Sequence, residues 1–344
     1  MPTTSNPYIK QFPELCSDKK ILYVHGFASS GQSGTVGRIR QVLPSATVVA
    51  PDLPVNPQEA LTLLHEVCSS EQPDLIIGTS MGGMYAEQLA GYDRILVNPA
   101  FCIADTMAAH GLTGKQQFFS PRRDGVQEFY VDKPLVKAYR QATEGNFASA
   151  DAPGEQKRVF GLFGDEDNLV NTFDLFASHY HNAIPFHGGH RMSDQSFMHA
   201  VVPVIRWIDD SRQRRQRPQI LVGMETLADA YGHPLASAQK TLRTLIESYH
   251  VQFVATAPAA PNHYGKVTAW LRQYVGVPAW EHVVFTNSRQ ALLADYLVTT
   301  AAAVGLDDAG LEAWDGMATL VPLHTDTFKT WDDVASYFAL LGGQ

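Results

Sequence analysis

The segment that most constrains the fold is residues 74–83 (DLIIGTSMGG), where a short apolar run leads into the pattern Gly-x-Ser-x-Gly. The run is typical of a buried strand, and the residues after the pattern have the composition of a helix. A serine between such elements lies on a sharp turn, where the chain folds back so closely that Gly78 and Gly82 have no room for a side chain. We therefore interpret Ser80 as a candidate nucleophile. The alternative is an ordinary capping serine in a glycine-rich turn.

Strand-like and helix-like segments alternate along the first 208 residues. The apolar runs are residues 21–24, 47–50, 75–77, 94–97, 158–163 and 183–186. This alternation predicts a parallel sheet with helices on both faces, the α/β class. Residues 101–150 interrupt it with the aromatic pairs Phe118-Phe119 and Phe129-Tyr130. They are interpreted either as a lid over a catalytic sheet edge or as an extra helical pair packed on the sheet.

A polar, arginine-rich segment separates this part from the rest of the chain. Residues 209–218 (DDSRQRRQRP) contain four arginines and end in proline, which is typical of a solvated linker. Beyond it, four strand-like runs (219–222, 252–255, 282–285 and 318–321) have helix-like segments between them. We therefore predict a first domain at 1–208, a charged linker at 209–218 and a second, smaller α/β domain at 219–344.

Composition excludes several classes of function. The formal net charge is −9, and residues 219–344 contain six Lys and Arg against twelve Asp and Glu, so no basic face for nucleic acid is expected. The sequence contains no run of about 18 apolar residues, so we predict no membrane-spanning helix. The polar start does not have the pattern of a secretion signal, and three widely spaced cysteines do not form a disulfide framework. We expect a cytoplasmic protein.

The order of polar loops favours nucleophilic catalysis. A serine hydroxyl needs a histidine to remove its proton, and the imidazole needs a carboxylate to fix its tautomer. In α/β hydrolases these three groups follow the order Ser, acid, His, each on a loop after a strand. Here the acidic loop GDEDNLV follows the fifth apolar run and HGGHRM follows the sixth. We predict Asp167 as the acid, with Asp165 as the alternative. His190 is predicted as the base because two glycines precede it, whereas His187 is expected to be packed or exposed.

Two backbone groups are predicted to stabilise an oxyanion. The N–H of Met81 begins the helix after Ser80, and the N–H of Phe27 lies on the loop after the first strand. In that loop His25 is interpreted as a brace rather than a catalytic base. No metal-ligand spacing and no phosphate-binding loop is present in the sequence, so neither a metal nor a cofactor is predicted.

Taken together, these motifs resemble the YqiA-like branch of small bacterial α/β-hydrolase esterases over residues 18–208. The segments that carry the resemblance are LYVHGFASS (22–30), PDL (51–53), IGTSMGG (77–83), NP (98–99) and GGH (188–190). The resemblance implies an α/β-hydrolase fold and carboxylesterase or thioesterase activity on a small acyl ester, without a cofactor.

The second domain resembles a haloacid-dehalogenase-like (HAD-like) domain of the 5′(3′)-deoxyribonucleotidase type. The similar segments are 220–229, 255–258, 287–300 and 331–334. That family uses two aspartates, a lysine, an acidic pair and a threonine to bind phosphate and Mg²⁺. Here Val222 and Met224 stand at the two aspartate positions and Arg289 at the lysine position. Thr299 and Thr300 stand at the acidic pair, and Thr256 matches the threonine.

Only the threonine is retained, so the resemblance implies that the fold has lost phosphoryl transfer and Mg²⁺ binding. Nearby, Glu225 and Asp229 are expected to be solvated carboxylates at a helix start.

Two hypotheses follow. The first is a serine hydrolase that forms an acyl-enzyme intermediate at Ser80. The second is a non-enzymatic interaction protein with a vestigial hydrolase domain, in which the acidic second domain docks a partner. The sequence does not predict the oligomeric state.

Overall fold

The structure, a computed structural model, describes residues 9–229, 232–257, 262–275, 283–307, 311 and 314–342. The chain divides into two compact units, Met1–Asp209 and Asp210–Gln344. Three features named from the sequence lie outside the described residues: the polar N-terminal residues 1–8, Pro258 of the segment 255–258, and His282 of the run 282–285.

A six-stranded parallel sheet forms the centre of the first unit, in the order β2-β1-β3-β4-β7-β8. The strands are β1 (Lys20–Val24), β2 (Thr47–Val49), β3 (Leu75–Thr79), β4 (Asp93–Val97), β5 (Gly114–Gln117), β6 (Glu128–Val131), β7 (Val159–Gly164) and β8 (Ala183–Phe186), of which β5 and β6 form a separate antiparallel hairpin. The central strand β4 is buried along its whole length, as expected for a parallel sheet covered on both faces. The predicted α/β class is confirmed.

The connections between the strands are mostly helical. The helices are α1 (Gly34–Val42), α2 (Pro57–Glu71), α3 (Met81–Glu87), α4 (Ile103–Ala109), α5 (Lys133–Thr143), α6 (Phe173–Ala177), α7 (Asp194–Ser196) and α8 (Val202–Gln213). Helix α2 shows why local sequence fixes such boundaries. The Asn56 side chain accepts hydrogen bonds from the N–H groups of Gln58 and Glu59, and Pro57 occupies the first helical position, where no N–H is needed.

Helix α8 extends into the segment 209–218 that was predicted as a linker. A π-helical turn (Phe197–Val201) leads into α8, which continues to Gln213. Half of the segment predicted as a linker is therefore helical. Just beyond the helix, the guanidinium groups of Arg215 and Arg217 both pair with Asp210.

The interruption at 101–150 contains a helical pair, α4 and α5, and also the β5–β6 hairpin, in which Gln116 lies opposite Phe129. The hairpin aromatics face two ways. Phe119 and Tyr130 are 72% and 67% exposed, whereas Phe129 packs against the core of the unit. The hairpin was not anticipated, because its strands are mostly polar and only one of their faces is covered.

The described residues of the second unit form a five-stranded parallel sheet, in the order β11-β10-β9-β12-β13. Its strands and helices are β9 (Gln219–Gly223), α9 (Ala236–Ser248), β10 (His250–Ala255), α10 (Asn262–Tyr274), β11 (Val283–Phe285), β12 (Tyr296–Thr300), β13 (Thr319–Leu323) and α11 (Trp331–Gly342). The sequence predicted four strands and missed β12. This strand ends in two threonines, yet Thr299 is fully buried because its hydroxyl has hydrogen-bond partners.

The described residues contain neither a membrane-spanning helix nor a metal-binding cluster. None of their helices has both the length and the apolar character that crossing a bilayer requires. Within the same ranges, no group of three or more His, Cys, Asp and Glu side chains is arranged to hold a metal ion.

Candidate active site

Ser80 lies on a strained turn between β3 and α3. Its backbone has φ 54° and ψ −121°, a conformation that non-glycine residues rarely adopt. A Cβ added at Gly78 would collide with the carbonyl oxygen of Gly82, and one added at Gly82 would collide with that of Val24. The turn is fixed to the neighbouring strand, since the Ser80 N–H donates to the Val97 carbonyl at 2.9 Å. The steric reason given for both glycines is therefore confirmed.

The structure brings the side chains of Ser80, His190 and Asp167 into one hydrogen-bonded chain. His190 Nε2 lies 3.0 Å from Ser80 Oγ, and His190 Nδ1 lies 2.7 Å from Asp167 Oδ2. A carboxylate can only accept, so Nδ1 carries the proton of a neutral imidazole, and Nε2 is free to accept from the serine hydroxyl. This arrangement is the one that proton removal from a serine requires.

The Asp167 carboxylate is held by more than the imidazole. Its Oδ1 accepts from the N–H groups of Leu169 and Val170, both at 2.9 Å, and its side chain is 2% exposed. Burial alone would raise the pKa of Asp167. The hydrogen bonds from His190 and from these two N–H groups outweigh that effect, and the pKa lies below its ordinary value. Asp167 is therefore an anion held in a fixed orientation.

The two alternative residues pair with each other instead. Asp165 accepts from His187 Nδ1 at 3.3 Å and from the Gly188 N–H at 3.1 Å. His187 is the more exposed of the pair, with 56% of its side chain accessible. The structure thus places Asp167 and His190 beside Ser80, and Asp165 beside His187.

Asn98 joins the loops that carry the acid and the histidine, a role that sequence reasoning missed. Its Nδ2 donates to the carbonyls of Gly189 and His190 at 3.1 and 3.2 Å, and its Oδ1 accepts from the Gly164 N–H at 2.7 Å. Asn98 is 2% exposed and has φ 46°, a left-handed conformation that asparagine tolerates. An Asn-Pro pair directly after a central strand was the available signal.

The N–H groups of Phe27 and Met81 belong to two segments that meet at Ser80, the loop after β1 and the start of α3. Met81 is the first residue of α3, where a backbone N–H has no acceptor within the helix. Gly26, which precedes Phe27, lies close to Ser80. A Cβ added at Gly26 would be 3.8 Å from Ser80 Oγ. Among the described residues, neither N–H has a hydrogen-bond acceptor. Both remain available to an oxygen atom bound at this position.

His25 braces the loop that carries Phe27. Its Nε2 accepts from the Leu53 N–H at 3.0 Å, so the proton lies on Nδ1, which donates to the Gly26 carbonyl at 2.9 Å. In a trans peptide the C=O and N–H point in opposite directions, so this bond aims the Phe27 N–H away from the ring. Burial lowers the pKa of His25 to about 4, which keeps the imidazole neutral.

The second unit has its own polar cluster at the ends of β9 and β12. Arg289 is 6% exposed and donates to both carboxylate oxygens of Glu225 and to Thr299 Oγ1. Burial would raise the pKa of Glu225, but the Arg289 guanidinium outweighs it and the pKa is lowered. Glu225 lies at the start of a 3₁₀ turn and keeps 28% of its side chain exposed, but its carboxylate pairs with a buried cation, which the sequence did not predict. Asp229 accepts instead from the His233 N–H in a nearby loop.

Comparisons with known proteins concern mainly the first unit. The model of the uncharacterised protein family UPF0227 matches residues 20–135, which contain β1 to β4 and the turn at Ser80. No curated protein matches the sequence.

Several solved structures are similar to the chain at low sequence identity. Est1E from Butyrivibrio proteoclasticus is 17% identical, with a TM-score of 0.38 over 59% of this chain and 89% of that one. The esterase domain of a Rhodothermus marinus protein is 18% identical, with a TM-score of 0.37 over 62% and 90%. An N-acyl homoserine lactonase, solved with N-hexanoyl homoserine lactone, is 14% identical, with a TM-score of 0.37 over 57% and 91%.

Proposed function

We propose that the first unit is a serine hydrolase that cleaves carboxylic esters or thioesters through an acyl-enzyme intermediate. The observation that carries this proposal is the hydrogen-bonded chain from Asp167 through His190 to Ser80. Three residues from three separate loops converge here, and the serine at their end is held in a strained turn. The substrate is a small molecule with an activated acyl carbonyl.

Each group has a defined role in the proposed reaction. His190 Nε2 takes the proton of Ser80 as Oγ bonds to the acyl carbon, and the carbonyl oxygen becomes an oxyanion. The N–H groups of Phe27 and Met81 stabilise this charge, and each such donor typically contributes a factor of about 10² to 10³ in turnover. His190 then gives its proton to the leaving alkoxide or thiolate. In the second half, His190 takes a proton from water as the water oxygen bonds to the acyl carbon, and returns that proton to Ser80 Oγ as the acid is released.

Asp167 is proposed to act through His190. Its carboxylate fixes the imidazole tautomer and stabilises the imidazolium that forms during attack. The reaction uses side chains and backbone groups alone, so we propose no cofactor or metal. We also propose a cytoplasmic location, supported by the three cysteines, Cys16, Cys68 and Cys102, which are described and free.

For the second unit we propose a HAD-like fold without phosphoryl transfer. The support is chemical, since Val222 and Met224 offer neither a nucleophile nor a metal ligand, and the Arg289 cation is neutralised by Glu225. The domain boundaries at 208 and 219 are part of the same proposal.

A fluorophosphonate probe and the Ser80→Ala variant test the proposed activity. The probe reacts only with an activated serine, so we expect labelling of the wild type and none of the variant. Hydrolysis of p-nitrophenyl acetate is expected to fall by at least about 10³-fold in the variant, with an unchanged circular dichroism spectrum. An unlabelled wild type, or a variant with full turnover, would instead support the vestigial-domain hypothesis.

A further inference from the structure

A narrow cavity lies directly beside the two N–H groups of the candidate site. Phe27 and Met81 are among the residues that line it, together with Phe118 and Phe129 of the hairpin. Its volume is about 10 Å³, which is about the minimum needed to hold a single water molecule. An acyl group bound to Ser80, with its carbonyl oxygen between the two N–H groups, would extend into this space.

Aromatic rings from the hairpin form part of the wall of this cavity. The Phe129 ring lies edge-on to Phe27 with centroids 5.3 Å apart, and Phe118 lies 4.6 Å from Phe129. The Arg122 guanidinium covers the outer face of the Phe118 ring at 4.6 Å. The end of the space is closed by Tyr139, whose hydroxyl already donates to the Val55 carbonyl at 2.9 Å. The walls are therefore mainly apolar, and their two polar side chains, Tyr139 and His25, already have hydrogen-bond partners.

The segment between the hairpin strands is attached to the sheet rather than free to open. The Phe119 N–H donates to the Ala28 carbonyl at 2.8 Å, and Ser30 Oγ donates to the Pro121 carbonyl at 2.7 Å. The Arg123 N–H donates to Asp52 at 2.7 Å. These contacts join the hairpin to the loops after β1 and β2, next to the candidate oxyanion groups. A segment held in this way acts as a wall of fixed position rather than a lid.

We infer that Phe118 and Phe129 determine the length of the acyl group, and that the enzyme prefers short, unbranched acyl esters such as acetates and propionates. This inference rests on the proposed function, because it concerns the acyl group transferred to Ser80. A side chain of the hairpin must rotate before even a short chain can enter this cavity, and within it a longer chain finds no unfilled space.

The test is an acyl-length profile of kcat/KM with p-nitrophenyl acetate, butyrate, hexanoate and octanoate. We expect the wild type to lose at least 10-fold from acetate to octanoate. Removing one ring should let about two more methylenes be buried, each contributing about 4-fold. Phe129→Ala and Phe118→Ala are therefore expected to raise the octanoate value relative to acetate by about 10-fold.

Matched controls are the neighbouring aromatics whose rings face outwards. Tyr130→Ala and Phe119→Ala remove rings that are 67% and 72% exposed, so the acyl-length profile should stay as in the wild type. Phe129→Leu replaces Phe129→Ala if the alanine variant does not fold.

Two outcomes would overturn the inference while leaving the proposed function intact. The first is a wild type that hydrolyses octanoate as well as acetate. The second is an unchanged profile in folded variants at positions 118 and 129. A wild type with no ester hydrolysis and no fluorophosphonate labelling would overturn both proposals.

Discussion

Both units place polar side chains at the carboxyl ends of central parallel strands, but they leave those side chains in opposite states. In the first unit Ser80 follows β3, and its hydroxyl is bonded to an imidazole that can take its proton. In the second unit Arg289, Glu225 and Thr299 bond one another at the ends of β9 and β12. We propose that the first set reacts with a ligand, whereas the second set already has its partners.

The difference shows what identifies a functional site in this class of fold. The carboxyl edge of a parallel sheet is where ligands bind, and polar residues collect there in many α/β proteins. Position alone is therefore a weak criterion. A stronger one is whether groups at the edge remain unsatisfied, as the N–H groups of Phe27 and Met81 do among the described residues. In the second unit the Arg289 charge is met by a carboxylate of the same chain.

The largest expected effect is the loss of Asp167. We expect Asp167→Asn to lower kcat by about 10⁴-fold, because the amide no longer enforces the imidazole tautomer that accepts the Ser80 proton. The measurement is kcat for p-nitrophenyl acetate at pH 8. Asp165→Asn is the matched control and should change kcat less than about 2-fold, since Asp165 pairs with His187. A larger loss in Asp165→Asn than in Asp167→Asn would assign the acid to position 165.

Local sequence was sufficient where a structure depends on neighbouring residues. The strand, the turn and the helix around Ser80 follow from an apolar run and two glycines, and the α/β class follows from alternation. The roles of Ser80, Asp167 and His190 remain predictions, although the order of the loops led to the residues that the structure brings together.

Local sequence was insufficient where a residue depends on a distant partner. Asn98 bonds loops more than 60 positions away, and the Asn-Pro pair marks only its position after a strand, not those contacts. The buried Thr299 concealed β12 because its partner Glu225 lies 74 positions away. The same contact pairs the Glu225 carboxylate with buried groups, although Glu225 itself stays partly exposed. Pairing of this kind is fixed only by the folded chain.

The second prediction concerns the cluster of Arg289, Glu225 and Thr299 in the second unit, from which one partner is removed. Removing Glu225 leaves the charge of the buried Arg289 guanidinium uncompensated, so Glu225→Ala should lower the free energy of unfolding of this unit by about 3 kcal/mol. Urea unfolding followed by tryptophan fluorescence measures this, since four of the five tryptophans lie beyond residue 210. Ester hydrolysis should not change.

Two variants sharpen this test. Asp229→Asn changes a more exposed carboxylate and should cost little. The double variant Glu225→Leu with Arg289→Met removes both charges and should recover most of the lost stability. A double variant less stable than Glu225→Ala would contradict the view that the cluster's main role is to neutralise its own charges.

The smallest expected effect is a difference between the two units in the pH range over which each loses stability. The pKa of His25 is about 4 in the folded chain and about 6.5 when unfolded, so the unfolded chain binds the proton first as the pH falls. The contribution of neutral His25 to the free energy of unfolding is fully present above about pH 7.5. It is lost as the pH falls from about 6.5 to about 4. The loss should reach about 2 kcal/mol at pH 5. Glu225, with its lowered pKa, loses stability only at lower pH, as its carboxylate becomes protonated.

Urea unfolding at pH 8 and pH 5, followed by circular dichroism, measures this difference. The transition of the first unit is the one that Glu225→Ala leaves unchanged. In His25→Gln, which keeps a polar side chain but cannot be protonated, that transition should shift less between the two pH values than in the wild type. An equal shift in both proteins would mean that His25 does not set the acid response of the first unit. The neutral brace behind the Phe27 N–H would then have to be reconsidered.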